Sequence, residues 1–188
     1  MNRDLAQRLQ NSPVVAAVKE ADHLQMAMDS PCEVIFLLTG NIFDIQTLVG
    51  RCKEADKLVY VHVDLLEGFS RDAMALEYIR EQAGPDGIIT TKAGLIKAAH
   101  ELEIDAIQRF FIVDSLSMRS AVKASSSIRP GAVEILPGIM PRVIGQLRQQ
   151  LSQPIIAGGL ISRKEDVIAA LSAGAMGVST TDPAIWKM

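Results

Sequence analysis

Cysteine is nearly absent: Cys32 and Cys52 are the only two in 188 residues, and their spacing matches neither a metal site nor a redox motif. A disulfide framework is excluded, and a reducing cytoplasmic location is the expectation. Aromatic residues make up only 4% of the chain. Histidine occurs three times, and no histidine pair or carboxylate cluster has metal-ligand spacing, so neither a metal nor a cofactor is expected. No apolar run reaches the length needed to span a bilayer. The opening stretch MNRDLAQRLQNS is polar and helix-like, without the apolar centre of a signal peptide, and no membrane partner is expected. A strong excess of one charge is missing too, since the net charge is −3, which argues against polyanion binding through bulk charge. What is present, 48% apolar and 22% charged residues, describes one globular domain over residues 1–188 with residues 1–12 as an N-terminal helical extension.

Short β-branched runs recur along the whole chain: VVAAV from 14, EVIFLL from 33, LVYVHVD from 58, GIITT from 87, FFIVD from 110, AVEIL from 132, PIIAG from 154 and MGVSTT from 176. They start 19 to 29 residues apart, room for one helix and two short loops each time. Strands alternating with helix-length segments predict a parallel α/β sheet. Eight nearly equal units without a longer crossover predict closure into a small (β/α)8 TIM barrel rather than an open doubly wound sheet. Ser70 and Asp72 start one helix, which Gly84 and Pro85 stop. Ser162 with Glu165 reads as a capping box for another, closed by Gly174. Only DPAIWKM follows the last strand, so the eighth helix is truncated or missing, with Asp182 as cap and Pro183 as first residue of a single turn. The N-terminal helix can cover the barrel floor or the vacant flank.

In such barrels the chemistry gathers where strands end, and these ends are polar. Lys19 follows strand one; Asp64 and Glu67 follow strand three; Thr91 and Lys92 follow strand four; Asp114 and Ser115 follow strand five; Glu134 lies in strand six. Strand seven ends in Gly158 and Gly159, and strand eight in Ser179, Thr180 and Thr181. Loops seven and eight of this fold commonly hold a phosphate, because exposed backbone N–H groups and helix N-termini favour an anion. Carboxylates inside apolar strands need partners, either Lys19 or Lys92 in ion pairs or the hydroxyls of a ligand. His62, on the same face as Asp64 but deeper, reads as a hydrogen-bonded core histidine more readily than as a base. Together these groups suit a small hydroxylated phosphate ester.

With HVDLLEG, DGIITTK, VDS, EILPG and AGGLI in place, the sequence resembles the glycerol-3-phosphate-responsive antiterminators that control glycerol uptake operons in Gram-positive bacteria. The resemblance runs from PVVAAV to the STTD near the end. It implies a non-enzymatic regulator that binds glycerol-3-phosphate and acts on leader mRNA to prevent premature termination. It carries Asp64, Glu67, Thr91, Lys92, Asp114, Ser115, Glu134, Gly158, Gly159, Ser179 and Thr180 over as motif positions.

The competing class is an isomerase, aldolase or phosphodiesterase of the phosphate-binding barrel type, and Lys92 keeps an aldolase open. For RNA, residues 109–164 hold eight basic side chains against Asp114 and Glu134, a local surplus of +6. Arg119 and Lys123 on the fifth helix, with Arg142 and Arg148 on the sixth, are the expected contacts, and a homodimer would double that stripe.

Overall fold

The computed structural model describes residues 3–188; Met1 and Asn2, the start of the expected extension, lie outside the described residues. The strands are β1 (Val14–Val18), β2 (Val34–Leu37), β3 (Leu58–His62), β4 (Gly87–Thr90), β5 (Asp105–Phe111), β6 (Ala132–Leu136), β7 (Ile155–Gly158) and β8 (Gly177–Thr180). They pair in parallel in chain order, and β8 returns to β1, so the sheet is a closed eight-stranded barrel. Around it lie α1 (Arg3–Asn11), α2 (Leu24–Met28), α3 (Ile45–Glu54), α4 (Ala73–Tyr78), α5 (Ala93–Glu101), α6 (Ser115–Ile128), α7 (Pro141–Arg148), α8 (Lys164–Ser172) and α9 (Pro183–Trp186). No described helix is long and apolar enough to cross a membrane.

Alternation along the strands sorts the apolar residues into two layers. Val15, Ala17, Val34, Phe36, Leu58, Tyr60, Ile89, Ile107, Ala132 and Ile156 fill the barrel, and Leu5 and Leu9 of α1 join them. Those two leucines are four apart on one helical face, and both are buried, so α1 closes the barrel floor rather than its flank. Outward-facing strand residues pack against the helices in the larger cluster, which includes Trp186.

The vacant eighth flank is filled by α9. Asp182 accepts a hydrogen bond from the Ala184 N–H at 2.9 Å, and Pro183 begins the turn, as the sequence predicts. The turn drives Trp186 inward, 1% exposed, where its ring nitrogen donates to the Thr180 carbonyl at 2.8 Å.

Local signals were met with two shifts. Asp72 caps α4 through the Ala75 N–H, and the helix runs through a π-helical turn at Ile79–Ala83 to a left-handed Gly84. The capping box on α8 is displaced by one residue: Arg163 is the cap position, and Asp166, not Glu165, accepts the N–H groups of Ser162 and Arg163. The larger shift is in β5, which begins at Asp105 rather than Phe110. Gln108 and Arg109 break the apolar run yet lie inside the strand, both buried.

Candidate ligand-binding site

The inward alternation that builds the apolar layer continues toward the strand ends and there changes chemistry. Past Tyr60 comes His62; past Ile107, Arg109; past Ala132, Glu134; past Ile156, Gly158; past Gly177, Ser179. Arg109 and Glu134 stand opposite each other in the β5–β6 register. The Arg109 Nε donates to Glu134 Oε2 at 2.6 Å, and the Ser179 hydroxyl donates to Oε1 at 2.6 Å. Glu134 is 1% exposed. Its partners are therefore an arginine and a serine, not Lys19 or Lys92. A β-carbon on Gly158 would lie 2.5 Å from the Ser179 hydroxyl and 2.7 Å from Glu134 Oε1, so glycine there makes room for the pair.

Above this layer opens a cavity of about 570 Å³, bounded by Lys19, Leu38, Arg109, Phe111, Glu134, Leu136, the Gly159–Ser162 loop and the Ser179–Asp182 segment. Gly159 is left-handed, φ 77, a conformation that favours glycine, and any β-carbon would press on Leu136 at 3.1 Å. The loop it opens is rich in unused donors. Among the described residues, the N–H groups of Gly159, Leu160 and Thr181 make no hydrogen bond within the protein. The terminal nitrogens of Arg109 and the ammonium of Lys19 likewise have no hydrogen-bonding partner there.

The three hydroxyls after β8 divide by face. Thr180 points away from the barrel axis and donates to the Ile161 carbonyl at 2.7 Å, tying loop eight to loop seven. Ser179 is committed to Glu134. Thr181, inward and exposed, is the hydroxyl left open to the cavity. The N-terminus of α8 contributes less to an anion site than the sequence suggests, because Asp166 already takes its leading donors.

The other expected residues sit on the rim, outside the cavity lining. Asp64 accepts from the Thr90 hydroxyl, the Thr91 N–H and the Thr91 hydroxyl, each at 2.7 Å. Burial raises its pKa, but these bonds outweigh burial and hold the carboxyl below its ordinary value. Glu67 pairs through its backbone with Gly40 and Ile42, and its side chain is exposed. Lys92 occupies the cap position of α5 and is exposed. Asp114 caps α6 by accepting the Ser117 N–H at 2.7 Å, and Ser115 is the exposed first residue of that helix.

Arg109 is the site residue that sequence reading missed, having been counted among the surface cations. The signal was its position two after Ile107 and across from Glu134. His62 is buried as expected, but its Nδ1 has no hydrogen-bond partner. Burial, and next the charge of Arg109, bring its pKa down to about 4, so the ring is neutral at pH 7. No group of three or more potential metal ligands is assembled among the described residues.

Of the expected RNA contacts, Arg119 and Lys123 are exposed on α6, and Arg142 is exposed in the first turn of α7. Arg148 is exposed too, near the end of α7: its aliphatic stem lies against Gly174 before β8, and its guanidinium donates to the Leu151 carbonyl at 3.3 Å.

Comparison with known proteins agrees with this geometry. Residues 14–186 match the sequence model of the glycerol-3-phosphate responsive antiterminators. The chain is 42% identical over 180 residues to the uncharacterized protein YgcP of Escherichia coli (strain K12), covering 96% of this chain and 94% of that one. The glycerol uptake operon antiterminator regulatory protein of Listeria monocytogenes superposes with a TM-score of 0.90 at 30% identity, covering 94% of this chain and 95% of that one. A glycerol uptake operon antiterminator-related protein of Thermotoga maritima gives 0.84 at 28% identity, covering 93% and 98%. A barrel whose mouth offers free backbone donors between β7 and β8, matched along nearly its whole length, belongs to the glycerol-3-phosphate responsive antiterminator family.

Proposed function

We propose that this chain is a non-catalytic, cytoplasmic regulator that binds glycerol-3-phosphate in the mouth cavity and acts on leader mRNA of glycerol utilisation genes. The observation that carries the ligand reading is the set of unused donors on one side of the cavity. The N–H groups of Gly159, Leu160 and Thr181, the Thr181 hydroxyl and Lys19 can all serve the phosphate. The Glu134 carboxylate and the free nitrogens of Arg109 lie where the glycerol hydroxyls would need an acceptor and donors.

A regulator is favoured over an enzyme by how little free acid–base chemistry faces the cavity. Each Glu134 oxygen already accepts one hydrogen bond, one of them from Arg109, which holds the carboxylate as a fixed acceptor rather than a proton carrier, and Asp182 caps α9. Lys19 and Lys92 are exposed, without the desolvation that would make an amine nucleophilic at neutral pH. The reading calls for no cofactor. RNA contact is assigned to Arg119, Lys123, Arg142 and Arg148, whose solvent-facing charge would show as steep salt dependence. A homodimer would place two such faces in one particle.

The test is a thermal-shift series with phosphorylated three-carbon compounds, run beside phosphorus NMR for turnover. A ligand at a hundred times its dissociation constant adds about 2.7 kcal/mol of stability. Stabilisation by unconverted glycerol-3-phosphate supports the regulator; steady conversion to product assigns an enzyme.

A further inference from the structure

Nine of the thirteen exposed large apolar side chains among the described residues crowd the barrel mouth. Leu65 is half-exposed on the β3 loop; Phe43 (93%), Val113 (81%) and Leu160 (71%) stand out further on the loops after β2, β5 and β7, with Phe111 (57%) ending β5 and Leu116 (63%) in the first turn of α6. Apolar side chains gathered on one face in this way mark an interaction surface. Chain connectivity puts part of it next to charge. Phe111 ends β5, Val113 and Leu116 follow, and α6 continues with exposed Arg119 and Lys123. From Ser115 to Val133 there is no acidic residue against Arg119, Lys123 and Arg129; the corner's one acid, Asp114, is held as the cap of α6.

We propose that the β5–α6 corner is a platform for single-stranded RNA, with Phe111 stacking on a base and Arg119 and Lys123 holding the phosphates that follow. Unpaired bases are recognised by aromatic faces combined with backbone cations, and this corner offers both within one loop and the helix it opens. The charge decides the occupant. A second copy docked on the same rim would bring the same acid-free, cationic helix with it, whereas a polyanion complements it. Phe111 also forms part of the cavity wall. The effector and the RNA therefore share one side chain, which gives the ligand a direct route to RNA affinity. This coupling rests on the reading of the cavity as a glycerol-3-phosphate site. By linkage, the factor by which effector raises RNA affinity equals the factor by which RNA raises effector affinity.

Fluorescence anisotropy with a mixed-sequence single-stranded RNA of about 16 nucleotides, compared with the same strand annealed to its complement, tests the platform. The expected order of affinity is Phe111→Trp at or above wild type and Phe111→Leu weaker by roughly five- to a hundredfold, the range of one lost base stack. Leu116→Glu should also weaken RNA binding, with melting curves confirming that it folds. Equal RNA affinity for wild type and Phe111→Leu overturns the platform. Loss of self-association in Leu116→Glu with RNA affinity intact assigns the rim to a second copy and overturns it equally. Titration of wild type with glycerol-3-phosphate separates the two readings. Aromatic-dependent RNA binding without any effector heat leaves the platform standing and removes the effector.

Discussion

The two halves of the barrel mouth have similar sequence polarity and put it to different use. On the β2–β4 side, the paired groups tie loops together while the Glu67 and Lys92 side chains stand in solvent: Asp64 binds both threonines after β4, Asn41 and Asp44 bind each other, and the β2 and β3 loops are zipped by backbone bonds between Gly40, Ile42 and Glu67. On the β7–β8 side, three backbone N–H groups and the Thr181 hydroxyl remain free, and the tip of Arg109 joins them from β5. The first half uses its polarity to position loops, while the second leaves donors unpaired beside the mouth cavity. Polar residue type at a strand end therefore does not mark a site by itself; unpaired donors that also line a cavity mark a candidate.

Breaking the anchor of the second half should have the largest effect. Removing the Glu134 charge leaves Arg109 buried opposite a neutral group, and stranding one member of a buried pair costs about 3–5 kcal/mol. Glu134→Gln is expected to lose much of that, seen by urea unfolding, and to lose glycerol-3-phosphate binding. Wild-type stability in this variant would mean that the pair does not organise the mouth.

Next in size is the layer beneath both halves. His62 titrates near 4 in the folded protein, below the ordinary value of 6.5. Below pH 6.5 the unfolded chain takes up a proton that the native state refuses, so stability falls as pH drops from 6.5 toward 4 and is flat above. The window is worth about 3 kcal/mol. His62→Gln should flatten that part of the stability profile; an unchanged slope would assign the pH dependence to other groups.

Two smaller changes sharpen the contrast between the halves. Thr181→Val removes a free hydroxyl and should weaken glycerol-3-phosphate by about tenfold with little change in melting temperature, since one hydrogen bond to a charged group is worth about 1.5–3 kcal/mol. Asp64→Asn should do the reverse, costing about 1–2 kcal/mol of stability through weakened bonds to Thr90 and Thr91 while affinity moves less than about twofold. If Asp64→Asn changes the preference for the ester over inorganic phosphate, the two-halves account fails.

The barrel itself was legible because β-branched runs, helix caps and even spacing all point the same way. Asp72, Gly84 and Asp182 sit at the predicted turns. The beginning of β5 was not legible, because Arg109 and Gln108 look like surface residues until the period-two alternation from Ile107 is followed inward. The glycine pair was legible as a feature, but its two members do different work. Gly158 clears space for the Glu134–Ser179 bond, and Gly159 takes the left-handed turn that starts the loop lining the cavity. Which donors stay free depends on what neighbouring loops have already taken, as with Asp166 at α8, and that is a property of the assembled mouth.

Calorimetric titration of the wild-type protein with glycerol-3-phosphate, beside inorganic phosphate and glycerol, tests the central claim most directly. Three or four charge-assisted bonds, set against the cost of association, predict one saturable site in the micromolar-to-millimolar range, with inorganic phosphate weaker and glycerol alone giving no saturable heat. No saturable heat with the ester, or equal affinity for the ester and inorganic phosphate, would contradict a mouth that reads both ends of the molecule.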